Sequence, residues 1–204
     1  MTRVIACIDG LNLYYGLKAK HGRKYHWLDL QRLATSLLRP GQRLAGVRYF
    51  TARIRNQPAS EQRQEDYLIA LAACCPDIVI VEGRFQERTT VCLSCRASRI
   101  VYEEKETDVS LALAIARDAV LDRFDTALLI SADADLCPAV RVMKEIAPAK
   151  RIIAAFPPRR WSDSLRQVAD GTFTVGTDKI RNSQLADKIT LESGMVLERP
   201  AYWR

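Results

Sequence analysis

The 204-residue chain contains no run of about 18 apolar residues, so no membrane-spanning helix is expected. It also lacks the small-residue cleavage pattern of a secretory leader. Its first ten residues, MTRVIACIDG, hold one Arg and a short apolar run that stops at Asp-Gly. That reads as a first strand and makes a cytoplasmic location the expectation. Histidine is scarce, with only His21 and His26, and the single Cys-x-x-Cys, Cys92 and Cys95, has no second copy. A structural zinc site needs four ligands, so this pair supplies half of one, and a zinc site requires more ligands, for example from a second chain in a homodimer. The remaining cysteines are Cys7, Cys74, Cys75 and Cys137. Without a secretion signal, a chain of this size is not expected to carry a disulfide framework. No internal repeat or low-complexity tract is present.

What is present is an ordinary globular balance, 48% hydrophobic and 27% charged, enough for one large domain or one domain with a tail. The formal net charge is +7, and arginine dominates it, in clusters such as Arg39, Arg43, Arg48, Arg53 and then Arg151, Arg159, Arg160, Arg166. Such an excess permits binding to phosphate backbones, although solvated helix faces account for it equally well.

Apolar runs at 4–8, 44–51, 77–83, 126–131, 151–156 and 172–175 read as strands. Helical spacing appears at 12–20, 28–38, 61–73, 105–119, 138–145 and 162–169, with Ser60 as the expected N-cap of the third. Strands alternating with helices predict an α/β fold, a three-layer α/β/α sandwich around a mainly parallel sheet. Residues 84–102 break the rhythm and hold the Cys-x-x-Cys, so they read as a hairpin insertion in a domain spanning 1–176. Residues 177–204 show no strong periodicity and are expected to form a C-terminal extension.

Functional sites in such sheets lie outside the carboxyl ends of the strands. Asp9 follows the first expected strand, Asp133 and Asp135 follow the strand at 126–131, and Asp108 opens a helix. Each alone reads most simply as a cap or turn residue. Together they converge on one edge, where clustered carboxylates repel one another unless a cation joins them. Mg²⁺ and Mn²⁺ prefer such oxygen donors.

The stretches IDGLNLYYG (8–16), EEKETDVSLALAI (103–115) and LLISADADLCPAV (128–140) together resemble the NYN domain family of the PIN-like nuclease superfamily. Asp9 and Asn12 match its first motif, Lys105 and Asp108 its second, and Ser131, Asp133 and Asp135 its third. The resemblance covers roughly residues 3–175 and departs from the family at Ala132, where a Gly is usual, and at Ala134. It implies a PIN-like, Rossmann-like sandwich that hydrolyses RNA with Mg²⁺ or Mn²⁺. Asp9, Asp108, Asp133 and Asp135 are then metal ligands, Asn12 orients a carboxylate, a water or a phosphate, and Ser131 holds the loop after the strand. Lys105 is placed to touch phosphate.

Arg159 and Arg160 stand before an expected helix start and form a candidate phosphate contact. Tyr49-Phe50, Trp161 and Trp203 lie near basic residues and can stack on the bases of RNA or single-stranded DNA. Two other readings remain. One is a non-catalytic RNA-binding module that relies on the basic stretch 39–63. The other resembles the Toprim family through Glu82-Gly83 and Asp133-x-Asp135, but leaves Asp9, Asn12 and Asp108 without a role.

Overall fold

The computed structural model describes the backbone of residues 1–204 and the side chains of all but residues 101–104. The chain runs β1 (Thr2–Asp9), α1 (Gly10–His21), α2 (Leu30–Ser36), β2 (Gln42–Ala52), α3 (Pro58–Cys74), β3 (Ile78–Val91) and β4 (Ser98–Lys105). It continues through α4 (Thr107–Val120), β5 (Thr126–Ile130), α5 (Cys137–Ile146), β6 (Arg151–Phe156), α6 (Asp163–Val168), β7 (Gly171–Thr174) and α7 (Thr177–Asn182). A short hairpin, β8 (Lys188–Thr190) and β9 (Val196–Glu198), precedes the C-terminus.

Seven strands form one sheet in the order β4-β3-β2-β1-β5-β6-β7. All neighbours are parallel except β3 and β4. The α/β class expected from the alternation is therefore observed. Strands covered on both faces should read as apolar runs, and Val4–Ile8 of β1 and Ala127–Ile130 of β5 do. Val4, Ala6, Ile8, Leu128 and Ile130 join a core with Leu13 and Leu17 of α1, Leu33 of α2 and Leu71 of α3. Ile5, Cys7, Ala127 and Leu129 face the opposite core, with Leu111 and Ile115 of α4, Val140 and Met143 of α5, and Leu165 of α6. The helices thus change faces when the chain leaves β4, and the strand order reverses between β1 and β5. That reversal is where an α/β sheet opens a crevice at its carboxyl edge.

One buried charge cluster ties the layers together. Asp118 of α4 has no exposed surface and accepts bonds from Arg48 of β2 (3.1 Å), Arg117 (3.2 Å) and Arg123 (3.0 Å). A carboxylate can sit there because three guanidinium groups replace the water it loses.

β3 is longer than its apolar run predicts. Its first half pairs with β2, and after Gly83 it runs on beyond β2 and pairs with β4, from Arg84 opposite Lys105 to Val91 opposite Ser98. The expected hairpin is this projection, rising from the carboxyl edge of the sheet. Helix α3 starts earlier than expected, at Pro58 with Gln57 as its cap, and Ser60 lies inside it. The physical reason is Pro58, whose fixed φ and missing N–H suit a first helical turn.

Residues 177–204 pack on the domain. Asp29 N–H donates to Ser183 O, Leu185 N–H to Trp27 O, and the Trp27 indole to Ala186 O (2.8 Å). Trp203 lies against Trp27, Tyr67 and His26, with ring centroids 5.9–6.3 Å apart. Among the described residues, no helix is long and apolar enough to cross a membrane.

Candidate metal centre

Asp9 is the last residue of β1 and the N-cap of α1, where its Oδ1 accepts the Asn12 N–H at 2.9 Å. A capping carboxylate at this position satisfies an orphan helix N–H and also favours the helix dipole. Its Oδ2 accepts from the fully buried Ser131 hydroxyl at 2.8 Å. The same hydroxyl accepts the Asp133 N–H at 3.0 Å, and Asn12 Oδ1 accepts the Ala132 N–H at 3.1 Å. Two side chains, Asn12 and Ser131, therefore stitch the ends of β1 and β5 together. Asp133 caps its own turn, its Oδ1 accepting the Asp135 N–H at 2.9 Å.

The third acid arrives from the other side of the sheet. Lys105 ends β4 and Glu106 turns the chain with φ of +78°, so that α4 begins at once and Asp108 sits in its first turn. Arg84 at the base of the hairpin holds Glu106 at 2.6 Å. A left-handed glutamate is unfavourable in itself. Here it lets the returning hairpin enter α4 without a longer loop.

The result is that one carboxylate oxygen each from Asp9, Asp108 and Asp133 lies within 4.8 Å of the others. Asp9 is buried and the other two are half-buried. An ion of Mg²⁺ or Mn²⁺ size, with oxygens at about 2.1 Å, sets its ligand oxygens about 3–4 Å apart, so small side-chain rotations close this group around one. The donor set is all carboxylate, the kind that hard divalent cations select. Among the described residues this is the only group of three or more His, Cys, Asp or Glu side chains so placed.

The other candidates from the sequence fall around this centre. Asp135 is exposed in a 3₁₀ turn over Ala134–Leu136, outside the three-acid group, and contributes its backbone N–H to Asp133. The capping role expected of it belongs to Asp133. Ala132 is absent from the positive-φ positions, so the departure from Gly costs no strain. Lys105 is exposed where the hairpin returns to the carboxyl edge. Arg159 is exposed with φ of +58°, in the loop after β6, and the Arg160 guanidinium lies 5.8 Å from the Tyr15 ring of α1. Cys92 and Cys95 are exposed at the hairpin tip, with no third His, Cys, Asp or Glu beside them among the described residues. Glu82 is held by Arg53 at 2.7 and 2.9 Å and stays apart from the acid group, so the Toprim-like arrangement does not form.

Two glycines join the site that the sequence patterns do not single out. A Cβ on Gly10 would stand 2.6 Å from Phe50 O, and one on Gly16 would stand 2.8 Å from Pro158 O. The first lets α1 start directly behind Asp9, and the second seats α1 against the loop that carries Arg159 and Arg160. Each close approach depends on a segment distant in sequence, Phe50 of β2 or Pro158 after β6, so the local sequence gives no sign of it.

Beside the acids, on the other side of the first turn of α1, is a pocket of about 580 Å³. Its floor is aromatic: Tyr14 lies 4.8 Å from His26, His26 5.9 Å from Trp203, and Trp203 5.9 Å from Tyr67. Burial keeps His26 below the usual histidine range, and its Nε2 donates to Gly22 O at 3.0 Å. Burial also pushes the Tyr49 phenol, another lining residue, up to about 12, so for both His26 and Tyr49 burial favours the neutral form.

A family model for the NYN domain matches residues 3–180. The chain belongs to the NYN domain family. The family has a PIN-like nuclease fold and is linked to nucleic acids, and the acidic group lies at the expected edge of that fold. Among curated proteins, this NYN chain is 28% identical over 172 residues to the 6-hydroxy-3-succinoylpyridine 3-monooxygenase HspA of Pseudomonas putida. The match covers 67% of this chain and 54% of that protein, so the chain spans about half the length of its curated relative. Among solved structures, a protein of unknown function from Vibrio parahaemolyticus superposes with a TM-score of 0.57 at 16% identity, over 87% of this chain and 94% of that one. At this identity the likeness concerns the fold of the NYN domain alone.

Proposed function

We propose that the protein is a ribonuclease that hydrolyses RNA phosphodiesters with Mg²⁺ or Mn²⁺ held by Asp9, Asp108 and Asp133. The observation that carries this reading is the all-carboxylate group, within 4.8 Å, at the reversal point of an NYN-family sheet. When bound, the ion supplies positive charge to the reacting phosphate and acidity to water. The chain's own residues hold the donors in place. Asn12 and Ser131 fix the Asp9 carboxylate from both sides, and Asp133 is fixed by the turn it caps. Asp135 serves as a backbone donor in that turn, and through water as an outer ligand. Lys105, Arg159 and Arg160 are the phosphate contacts that keep a polyanion near an acidic centre.

A metal group of carboxylates alone differs from the mixed His and carboxylate sets typical of oxygen-activating iron. For that reason the hydrolytic reading is preferred over one based on the monooxygenase relative, whose remaining length this chain does not span. A module that binds RNA without cutting it is the second reading, favoured by the +7 charge.

The test is cleavage of labelled single-stranded RNA with Mn²⁺, with Mg²⁺ and with EDTA. Metal-dependent cutting is expected. Asp9→Asn and Asp133→Asn are expected to lower the rate at least about 100-fold, by the usual loss on removing a metal ligand or its support. Their far-UV spectra should not change, because at each position the Asn amide oxygen can still accept the one capping N–H bond, from Asn12 or from Asp135. RNA binding without cleavage in any metal selects the second reading, and variants as active as wild type overturn the site.

A further inference from the structure

The pocket beside the acids has a chemical character that the metal centre does not explain. Its walls add Tyr15, Phe85 and Tyr202 to the aromatic floor, and its rim carries Lys18, Arg55 and Arg63. No Asp or Glu lines it. Tyr202 lies under two guanidinium groups, with Arg23 at 4.0 Å and Arg63 at 4.4 Å from the ring. These contacts hold Arg63 at the mouth. The cavity is therefore rich in flat aromatic rings, with the neutral polar side chains of Thr51, Gln57, Ser60 and Gln64 among them, and its charged side chains are all cationic. That combination matches a planar ring attached to phosphates.

Position narrows the occupant. The pocket is lined by Gly10 and Leu11, the residues directly after Asp9, and by Thr51 and Ala52 at the end of β2. It opens on the same carboxyl edge as the acids. A strand with one phosphate at Asp9 then has a neighbouring nucleotide at the mouth. A base inside a duplex is stacked on both faces and cannot enter, whereas an unpaired base can. Tyr202 and Trp203 lie beyond residues 3–180, so the chain's C-terminal segment completes a pocket whose other lining residues fall within the part matched by the family model.

We infer that this pocket seats one unpaired nucleobase of the RNA, with Lys18, Arg55 and Arg63 on its flanking phosphates, so that the substrate is single-stranded. The inference rests on the nuclease reading for its choice of RNA. Arg55 and Tyr202 both reach the surface outside the apolar core, so truncating either leaves that core intact.

The experiment is fluorescence anisotropy in EDTA, where nothing is cut, with a labelled 8–10-nucleotide RNA as the single strand and annealed to its complement. The single strand is expected to bind at least about tenfold more tightly than the duplex. Tyr202→Ala should weaken single-strand binding roughly tenfold while leaving duplex binding unchanged, a size typical of lost base contacts with aromatic residues. Tyr202→Phe should retain affinity. Arg55→Ala should reduce the slope of log affinity against log salt by about one. Equal affinity for both forms or an unaffected Tyr202→Ala overturns the inference. Failure of the nuclease reading looks different: no cleavage in any metal, with this binding pattern intact. Conversely, metal-dependent cleavage with unchanged Tyr202→Ala binding removes the pocket and leaves the nuclease.

Discussion

Ser131 carries more of the site than its size suggests. It is fully buried, donates to Asp9 and accepts from the backbone of Asp133, so one hydroxyl sets the relative position of two of the three acids. Ser131→Ala leaves a buried carboxylate oxygen and a backbone N–H each short of a partner, at a cost of about 1–3 kcal/mol. The larger effect is expected on the ion. Outer partners of metal ligands typically matter about 10–100-fold in metal affinity, so the Mn²⁺-induced rise in melting temperature of wild type should shrink strongly in this variant. Thermal unfolding across a Mn²⁺ titration checks it, and an unchanged response would show that Ser131 only fills space. At this scale much was legible in advance. Asp9 and Asp133 are recognisable as acids at the ends of apolar runs, and Asn12 and Ser131 through the resemblance to the NYN motifs. The division of labour between Asp133 and Asp135 was not, since both lie in one four-residue turn and only the path of the chain decides which carboxylate points inward.

The hairpin of β3 and β4 does two things as an element. It carries the chain out from the carboxyl edge and back, and thereby delivers Glu106 and Asp108 to that edge. It also exposes Cys92 and Cys95 at its tip, beside Leu93, which is 99% exposed. The Cys92 thiol is held below the usual cysteine range, chiefly by the Cys95 backbone N–H, then by the Cys95 side chain and the Ser94 N–H. Cys7 and Cys75 are the opposite case, pushed up to about 12 by burial. The thiolate is the reactive form. Iodoacetamide near pH 7 should therefore label Cys92 before any other cysteine, with Cys7 and Cys75 protected until the protein unfolds. Peptide mass spectrometry gives the order, and labelling of Cys7 at a similar rate would contradict it. The break in rhythm at 84–102 falls on the hairpin of β3 and β4. The hairpin's service to Asp108 could not be read from that break, because it depends on where β3 runs on beyond β2.

Across the molecule, contacts distant in sequence hold the frame of the site. Arg3 on β1 grips Asp125 before β5 through its backbone N–H at 2.7 Å and its guanidinium at 2.7 and 3.3 Å. These bonds hold the Asp125 carboxyl down at about 2, led by the guanidinium side chain and then the Arg3 N–H. Because the folded value lies below the ordinary one of about 3.8, the contact stabilises fully above about pH 4 and fades as pH falls towards 2. Asp125→Asn should lower stability near neutral pH and flatten the loss between pH 4 and 2, as urea unfolding at several pH values can measure. A parallel pH dependence in wild type and variant would assign acid sensitivity elsewhere. Short stretches of sequence were enough to establish the α/β class and the order of elements up to β7, because apolar periodicity is a local property. The three-dimensional packing was needed to bring Asp9, Asp108 and Asp133 together while Asp135 stays outside, to make Gly10 and Gly16 admit their neighbours, and to close a pocket with Tyr202 and Trp203 against α1 and α3. Those outcomes depend on the order in which strands join the sheet and on which face each helix takes. Both are set by burying the whole apolar surface at once, so no local stretch records them.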